Sequence, residues 1–316
     1  MIDRVLGPGS GRRAVLEQRR RVGVYGVCQG RDGRVLLVRG SPSADYPGVW
    51  QVPGGGLEHG EHPEAGVVRE YAEETGLAVE VTGVLAAVSD VTGLPGVALH
   101  TDRIVFAVEV TGGTLRDEPD GTTDLVRWPT LDEAAGLPLM PFTAEVLGLP
   151  VTPLPQPAPG AARGPYPPVQ ADRRQRFAAY GLVTDQAGRV LLTLIADGYP
   201  GAGLWHLPGG GTDHGEQPAA GLLRELVEET GQLGRVVDLL AVHHRYDPGE
   251  LGPEGRPLDW HGVRVVYRAV VDEPTEARVT ELAGGSTAAA AWFPPDRLDD
   301  LPMTEVAALV TGHRAA

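Results

Sequence analysis

Residues 55–77 read GGLEHGEHPEAGVVREYAEETGL, and residues 210–232 read GGTDHGEQPAAGLLRELVEETGQ. Each stretch is laid out as a capped helix. Pro63 and Pro218 suit a first helical turn, where a missing N–H costs nothing, and Gly76 and Gly231 suit a helix end. Between them Ala65, Val68 and Ala72 recur at helical spacing, as do Ala219, Leu222, Leu223 and Leu226, so one face of each helix is expected to be buried.

On such a helix Glu70, Glu73 and Glu74 stand at i, i+3 and i+4, which sets three carboxylates on one flank. Glu225, Glu228 and Glu229 repeat the arrangement. Like charges so placed repel, and they crowd the C-terminal half of the helix, where its dipole disfavours anions. Hard oxygen ligands grouped this way are what Mg²⁺ or Mn²⁺ requires. Arg69 lies four residues before Glu73, and Arg224 four before Glu228, so each arginine can orient one carboxylate. The triplets Gly54–Gly56 and Gly209–Gly211 lack Cβ atoms and permit close backbone approach to a metal or a phosphate.

These residues resemble the signature of the Nudix hydrolase family, Gly-x5-Glu-x7-Arg-Glu-U-x-Glu-Glu-x-Gly-U with U usually aliphatic. Both copies carry every fixed glycine and charged position, with Glu61 and Glu216 at the first glutamate. The departures are Tyr71 at the first U of copy one and Gln232 at the last U of copy two, both packing positions. The resemblance implies an α/β fold: two α/β/α sandwich domains with mixed sheets, the signature forming loop, helix and loop. It further implies Mg²⁺- or Mn²⁺-dependent hydrolysis of a diphosphate linkage, in a nucleoside diphosphate joined to another moiety or in a nucleoside triphosphate. By that likeness Glu70, Glu73 and Glu74, with the carbonyl of Gly55, would hold metal in copy one. Glu225, Glu228 and Glu229, with Gly210, would do so in copy two. Water activated by the metal attacks, and no covalent intermediate is needed.

The copies extend beyond the signature. GRVLL at 33–37 recurs at 188–192, and GVWQVPGGG at 48–56 matches GLWHLPGGG at 203–211, both offset by 155 (188 − 33). Trp128 pairs with Trp292 at an offset of 164, so copy two carries nine additional residues (164 − 155). A period this long means two whole domains, expected over 1–149 and 171–316. Between them residues 150–170 are dense in proline, which favours an extended, semi-rigid linker. Strands are expected at 22–28, 35–38, 81–88 and 104–110, with counterparts at 236–242 and 263–271, and short late helices near 142–147 and 304–311.

The chain has 316 residues, 42% of them hydrophobic, and a formal net charge of −15. That acidity repels nucleic-acid backbones, so duplex nucleic acid is not an expected partner, and polyanionic substrates need cations to mediate contact. All 27 basic side chains are arginine, which rules out a Walker-type lysine and Schiff-base chemistry. A single cysteine, Cys28, fits a reducing compartment and a core position. No apolar run is long enough to span a bilayer and no secretory signal is evident, so a cytoplasmic protein is expected. The two domains are expected to pack as a pseudo-dimer, or whole chains to dimerise.

The general base is open. Loop acids Glu118, Asp120 and Asp124 precede Trp128, whereas Ala288 stands at the Asp124 position of copy two and Glu281 is the nearest acid there. Copy one therefore has the fuller catalytic set, with Glu73, Glu74, Glu118 and Asp124 set against Glu228 and Glu229. His59 and His214 sit at matching loop positions and suit a phosphate contact or a loop-stabilising role. Arg12, Arg13, Arg19, Arg20 and Arg21 form a basic cluster that reads as a solvated N-terminal arm, with a phosphate or RNA contact as the alternative. Trp50 and Trp205 read as core. Pro248 stands 16 residues after Gln232 (248 − 232), a spacing that resembles the ADP-ribose-cleaving branch, and Pro95 follows Leu77 by 18 (95 − 77). A nucleotide sensor with weak catalysis is the alternative reading; an isomerase-like variant of the fold is disfavoured by two intact signatures.

Overall fold

A computed structural model describes residues 16–94, 96–118, 121–154, 172–251, 256–280 and 285–313. Arg12, Arg13, Pro95, Asp120, Glu281 and most of the proline-rich segment lie outside the described residues. The first domain runs β1 (Glu17–Val27), β2 (Leu37–Gly40), β3 (Trp50–Gln51), β4 (Gly54–Gly56), α1 (Pro63–Thr75), β5 (Leu77–Leu94), β6 (Val97–Gly113), β7 (Thr123–Arg127), α2 (Leu131–Ala135) and α3 (Pro141–Val146). The second repeats it as β8 (Arg173–Asp185), β9 (Val190–Ile195), β10 (Trp205–His206), β11 (Gly209–Gly211), α4 (Pro218–Thr230), β12 (Arg235–Leu251), β13 (Pro257–Val271), β14 (Thr287–Phe293) and α5 (Glu305–Thr311). No helix among the described residues is long and apolar enough to cross a membrane.

The main sheet of the first domain has the order β4-β1-β6-β5, with β1 and β6 parallel and the other pairs antiparallel. A smaller antiparallel sheet, β3-β2-β7, lies beside it. In the second domain the order β10-β9-β8-β13-β12 joins both parts into one sheet, with β11 on β8 and β14 on β9. The pleat sorts side chains by parity. Ile104, Phe106 and Val108 meet Val67 and Tyr71 of α1 on one face. Val105 meets Ala134 of α2 and Phe142 of α3 on the other. Helices thus cover both faces, giving the α/β class and mixed sheet that the sequence implied.

The helices start at Pro63 and Pro218, and end before Gly76 and Gly231, which adopt left-handed φ of 72° and 68°. The buried face of α1 is rotated from the expected one. Val67 and Tyr71 are fully buried, whereas Ala65 and Ala72 are exposed, because the larger side chains remove more apolar area from water.

Strands β5 and β6, and β12 and β13, form hairpins much longer than expected. Their far ends carry the other domain. Gly60, in the loop before α1, donates its N–H to His261 Nδ1 of β13 at 3.1 Å, and Gly215 donates to His100 Nδ1 of β6 at 2.9 Å. The residues capping the helices dock in the same reciprocal way: Gln217 Oε1 accepts from Ser89 N at 2.9 Å, and His62 meets His244 with ring centres 4.5 Å apart. Beneath these contacts a continuous apolar core joins Val67 and Tyr71 of α1 to Leu222 and Leu226 of α4.

Candidate active site

Each signature folds around one arginine. Arg69 donates to Glu61 at 2.8 and 3.0 Å, to Glu70 at 2.8 Å, to Glu73 at 3.4 Å and to the Gly56 carbonyl at 3.0 Å. Arg224 repeats the set with Glu216 at 2.9 and 3.1 Å, Glu225 at 2.9 Å, Glu228 at 3.2 Å and Gly211 O at 3.1 Å. Sequence reasoning gave Arg69 and Arg224 one carboxylate each and gave no role to Glu61 and Glu216. Their signal was the fixed x7 spacing, which sets each in the loop before the helix, eight residues from its arginine. Glu61 also accepts from Glu58 N at 2.9 Å, so it closes the loop onto the helix.

The third carboxylate of each set turns inward. Glu74, 3% exposed, accepts from Gly54 N at 2.8 Å; Glu229 accepts from Gly209 N at 2.9 Å. Burial holds the Glu74 carboxyl well above the ordinary carboxylate range and pushes Glu229 up to about 7. Glu70 and Glu225 are also raised, again chiefly by desolvation. Glu73 lies outermost, with its side chain 56% exposed.

The glycine loops lie directly against these acids. A Cβ on Gly55 would fall 2.6 Å from Glu70 Oε2, and one on Gly210 would fall 2.8 Å from Glu225 Cδ. Any larger residue there would displace the carboxylate. Among the described residues no three Asp, Glu, His or Cys side chains stand ready-grouped around a cation position, since Arg69 and the Gly54 amide engage the carboxylates. The donor set nonetheless fits Mg²⁺ or Mn²⁺: hard carboxylate oxygens, desolvated, beside backbone with no side chain in the way.

A cavity of 260 Å³ opens beside the first-domain loop, lined by Gly54, Gly55 and Glu70 and by Arg21, Tyr25 and Arg103 from the sheet. The loop acids divide. Glu118 accepts from Thr123 N at 3.2 Å and Oγ1 at 2.9 Å, and its charge reaches Glu74. Asp124 is held by Arg39 in a two-point pair at 2.8 and 3.0 Å. In the second domain Thr287, the counterpart of Thr123 (287 − 164), donates to Glu229 Oε1 at 2.5 Å.

His59 and His214 face the other domain, His59 Nε2 lying 3.0 Å from Asp259 Oδ1 and His214 Nε2 donating to Ala98 O at 3.2 Å. Trp50 is buried and Trp205 half-buried against the core.

The family described as NUDIX domain matches residues 17–148 and 174–311, most of the chain. The chain belongs to the NUDIX family. Its two Nudix domains have curated relatives that include a MutT-like protein of Streptomyces ambofaciens, 39% identical over 118 residues, which are 36% of this chain and 66% of that one. An ADP-ribose pyrophosphatase of Methanocaldococcus jannaschii is 36% identical over 99 residues, 31% of this chain and 56% of its own. The matches thus span under two thirds of either relative's length. A solved NUDIX hydrolase of Nitrosomonas europaea aligns with 41% of this chain and 87% of its own at 22% identity and a TM-score of 0.37.

Proposed function

We propose that this tandem Nudix protein is a divalent-metal-dependent pyrophosphohydrolase, cleaving a nucleoside diphosphate linked to another moiety or a nucleoside triphosphate. The observation that carries the reading is the doubled net in which one arginine ties three glutamates while a fourth lies buried under the glycine loop. A solvated acidic face needs neither the buried Glu74 nor its duplicate Glu229. The relatives named as pyrophosphatase and MutT-like support the reaction class.

Glu70, Glu73 and Glu74 with Gly55, and Glu225, Glu228 and Glu229 with Gly210, would hold Mg²⁺ or Mn²⁺. A bound ion of this kind neutralises phosphate oxygens and lowers the pKa of water. The protein does the rest. Arg69 and Arg224 hold the carboxylates beside the glycine loops, where a cation would draw them together. Glu74 Oε2 is engaged by Gly54, which leaves Oε1 to take a proton from water. Glu118 is the loop acid nearest that task. Asp124, paired with Arg39, is assigned to holding β7 on β2.

The test is turnover of nucleoside triphosphates, ADP-ribose and sugar nucleotides by the full chain with Mg²⁺ or Mn²⁺, repeated for Glu74→Gln, Glu229→Gln and both together. The double variant should lose at least about a hundredfold. Full turnover in it would end the reading, and binding without turnover in the native chain would make the protein a sensor.

A further inference from the structure

The two sites differ in how their arginines are held. Strand registers equate Arg176 with Arg21 (176 − 155) and Arg264 with Arg103 (264 − 161), since Arg103 lies opposite Gly23 and Arg264 opposite Ala178. In the first domain both guanidinium groups are tethered. Arg21 Nε donates to Thr101 Oγ1 at 3.1 Å, and the buried Arg103 donates to Asp90 Oδ2 at 2.6 Å. In the second domain the tethers are gone, with Gly262 in place of Thr101 and Arg245 in place of Asp90. Among the described residues neither the Arg176 nor the Arg264 guanidinium forms a hydrogen bond or an ion pair.

Their counterparts Arg21 and Arg103 line the first-domain cavity. Arg176 lies across the signature loop: a Cβ on Gly211 would fall 2.7 Å from its Nη2, whereas one on Gly56 would meet nothing within 4 Å. Its charge is felt by Glu225 and Tyr180. Arg264 lies over the Tyr180 ring, 5.9 Å from its centre. The first cavity also holds an acid, Asp45, where the second domain has Pro200. The acid gained in exchange, Asp247 in place of Thr92, is tied by Arg245 at 3.0 Å.

Resting on the hydrolase reading above, we propose that the second domain takes a nucleotide whose polyphosphate ends in a free phosphate, held by Arg176 and Arg264, and that the first takes a diphosphate esterified at both ends. A terminal phosphate carries an additional charge and three acceptor oxygens, which a guanidinium fork meets in two-point fashion. A doubly esterified diphosphate lacks that charge and suits the cavity where Arg103 is already paired with Asp90 and Arg21 is tied to Thr101.

Glu74→Gln reports the second site alone and Glu229→Gln the first. The ratio of kcat/KM for a nucleoside triphosphate over a sugar nucleotide should be at least about tenfold higher in Glu74→Gln. An equal ratio, or one favouring Glu229→Gln, overturns the proposal while leaving hydrolysis intact. A second arm needs neither metal nor turnover: calorimetry with inorganic tripolyphosphate in EDTA. One site per chain is expected, weakened about tenfold or more by Arg176→Gln, further by adding Arg264→Gln, and unchanged by Arg268→Gln. Arg176 is exposed and supports no other side chain, so its variant keeps the fold. Absent binding in the native chain, or binding indifferent to Arg176, overturns the proposal. If turnover instead survives Glu74→Gln and Glu229→Gln together, the hydrolase reading fails, and the tripolyphosphate arm still decides the arginines.

Discussion

Gly60 donates its N–H to Nδ1 of His261 across the domain boundary, and that bond fixes which ring nitrogen carries the proton. With Nδ1 accepting, a neutral His261 keeps its proton on Nε2. The matching ring, His100, has its Nε2 3.3 Å from Asp102. For His261 the counterpart of Asp102 is Val263, so no carboxylate stands at that place beside its Nε2, although neither ring's Nε2 makes a hydrogen bond. Two halves with the same backbone are therefore chemically unequal.

The contribution of His261 to stability should fall as pH drops from about 6.5 toward 4, opposed by Glu74 and Glu229, whose raised carboxyls bind protons more readily in the folded chain. Burial holds His261 down to about 4, and His59 and His244 beside it add to the effect, while Asp259 opposes. The folded-state pKa lies below the unfolded one, so over this window the unfolded chain binds a proton that the folded chain refuses, and unfolding gains. His206, held down to about 3, contributes with the same sign. On going from pH 7.5 to 5.0 the thermal midpoint of His261→Asn, whose amide oxygen still accepts from Gly60, should shift upward relative to that of the native protein over the same step. Equal shifts in the two would place the titration elsewhere.

Arg69→Lys should behave nearly as badly as Arg69→Ala. The guanidinium serves Glu61, Glu70, Glu73 and Gly56 O from one planar fork, and an ammonium cannot meet that spread of acceptors. Leaving half-buried carboxylates uncompensated should cost about 3 kcal/mol in either variant, read as a shift in the urea midpoint. A lysine variant as stable as the native chain would show that charge alone suffices.

Both signature helices were legible because Pro, Gly and the carboxylate spacing are local signals. The two departures from the pattern were not. Tyr71 stands at an aliphatic position, yet its hydroxyl donates to Gly26 O at 2.7 Å. Gln232, fully buried, accepts from Thr275 N and donates to Thr275 Oγ1, both at 2.9 Å. Each partner is 43 to 45 residues away in sequence, beyond any periodicity. The hairpin lengths failed for the same reason. Ser89, His100 and Asp102 look like surface residues until Gln217, Gly215 and Arg20 meet them. The cavity arginines Arg21 and Arg103 were hidden because only the sheet register brings them together.

Tyr71→Phe should cost about 1–2 kcal/mol, since it strips the partner from a buried carbonyl without opening a large cavity. Chemical denaturation measures it. Leu226 fills the matching place in the second domain with no such bond, so Leu226→Phe tests size alone. A neutral Tyr71→Phe would mean that Gly26 O is satisfied otherwise.

Gly55→Ala should abolish the first site while sparing the fold. The new methyl would fall within 2.7 Å of the Glu70 carboxylate carbon and both its oxygens. Gly55 lacks the left-handed φ of its neighbour Gly54, at 142°, so the backbone accepts alanine and the side chain of Glu70 must yield instead. Displacing that carboxylate by about 1 Å should lower the kcat of the first site by about a hundredfold, with a thermal midpoint near native. Measured in Glu229→Gln, where only the first site turns over, the whole of that loss should appear; in Glu74→Gln it should be absent. Equal losses in both backgrounds would show that Gly55 acts through the shared core and not through Glu70.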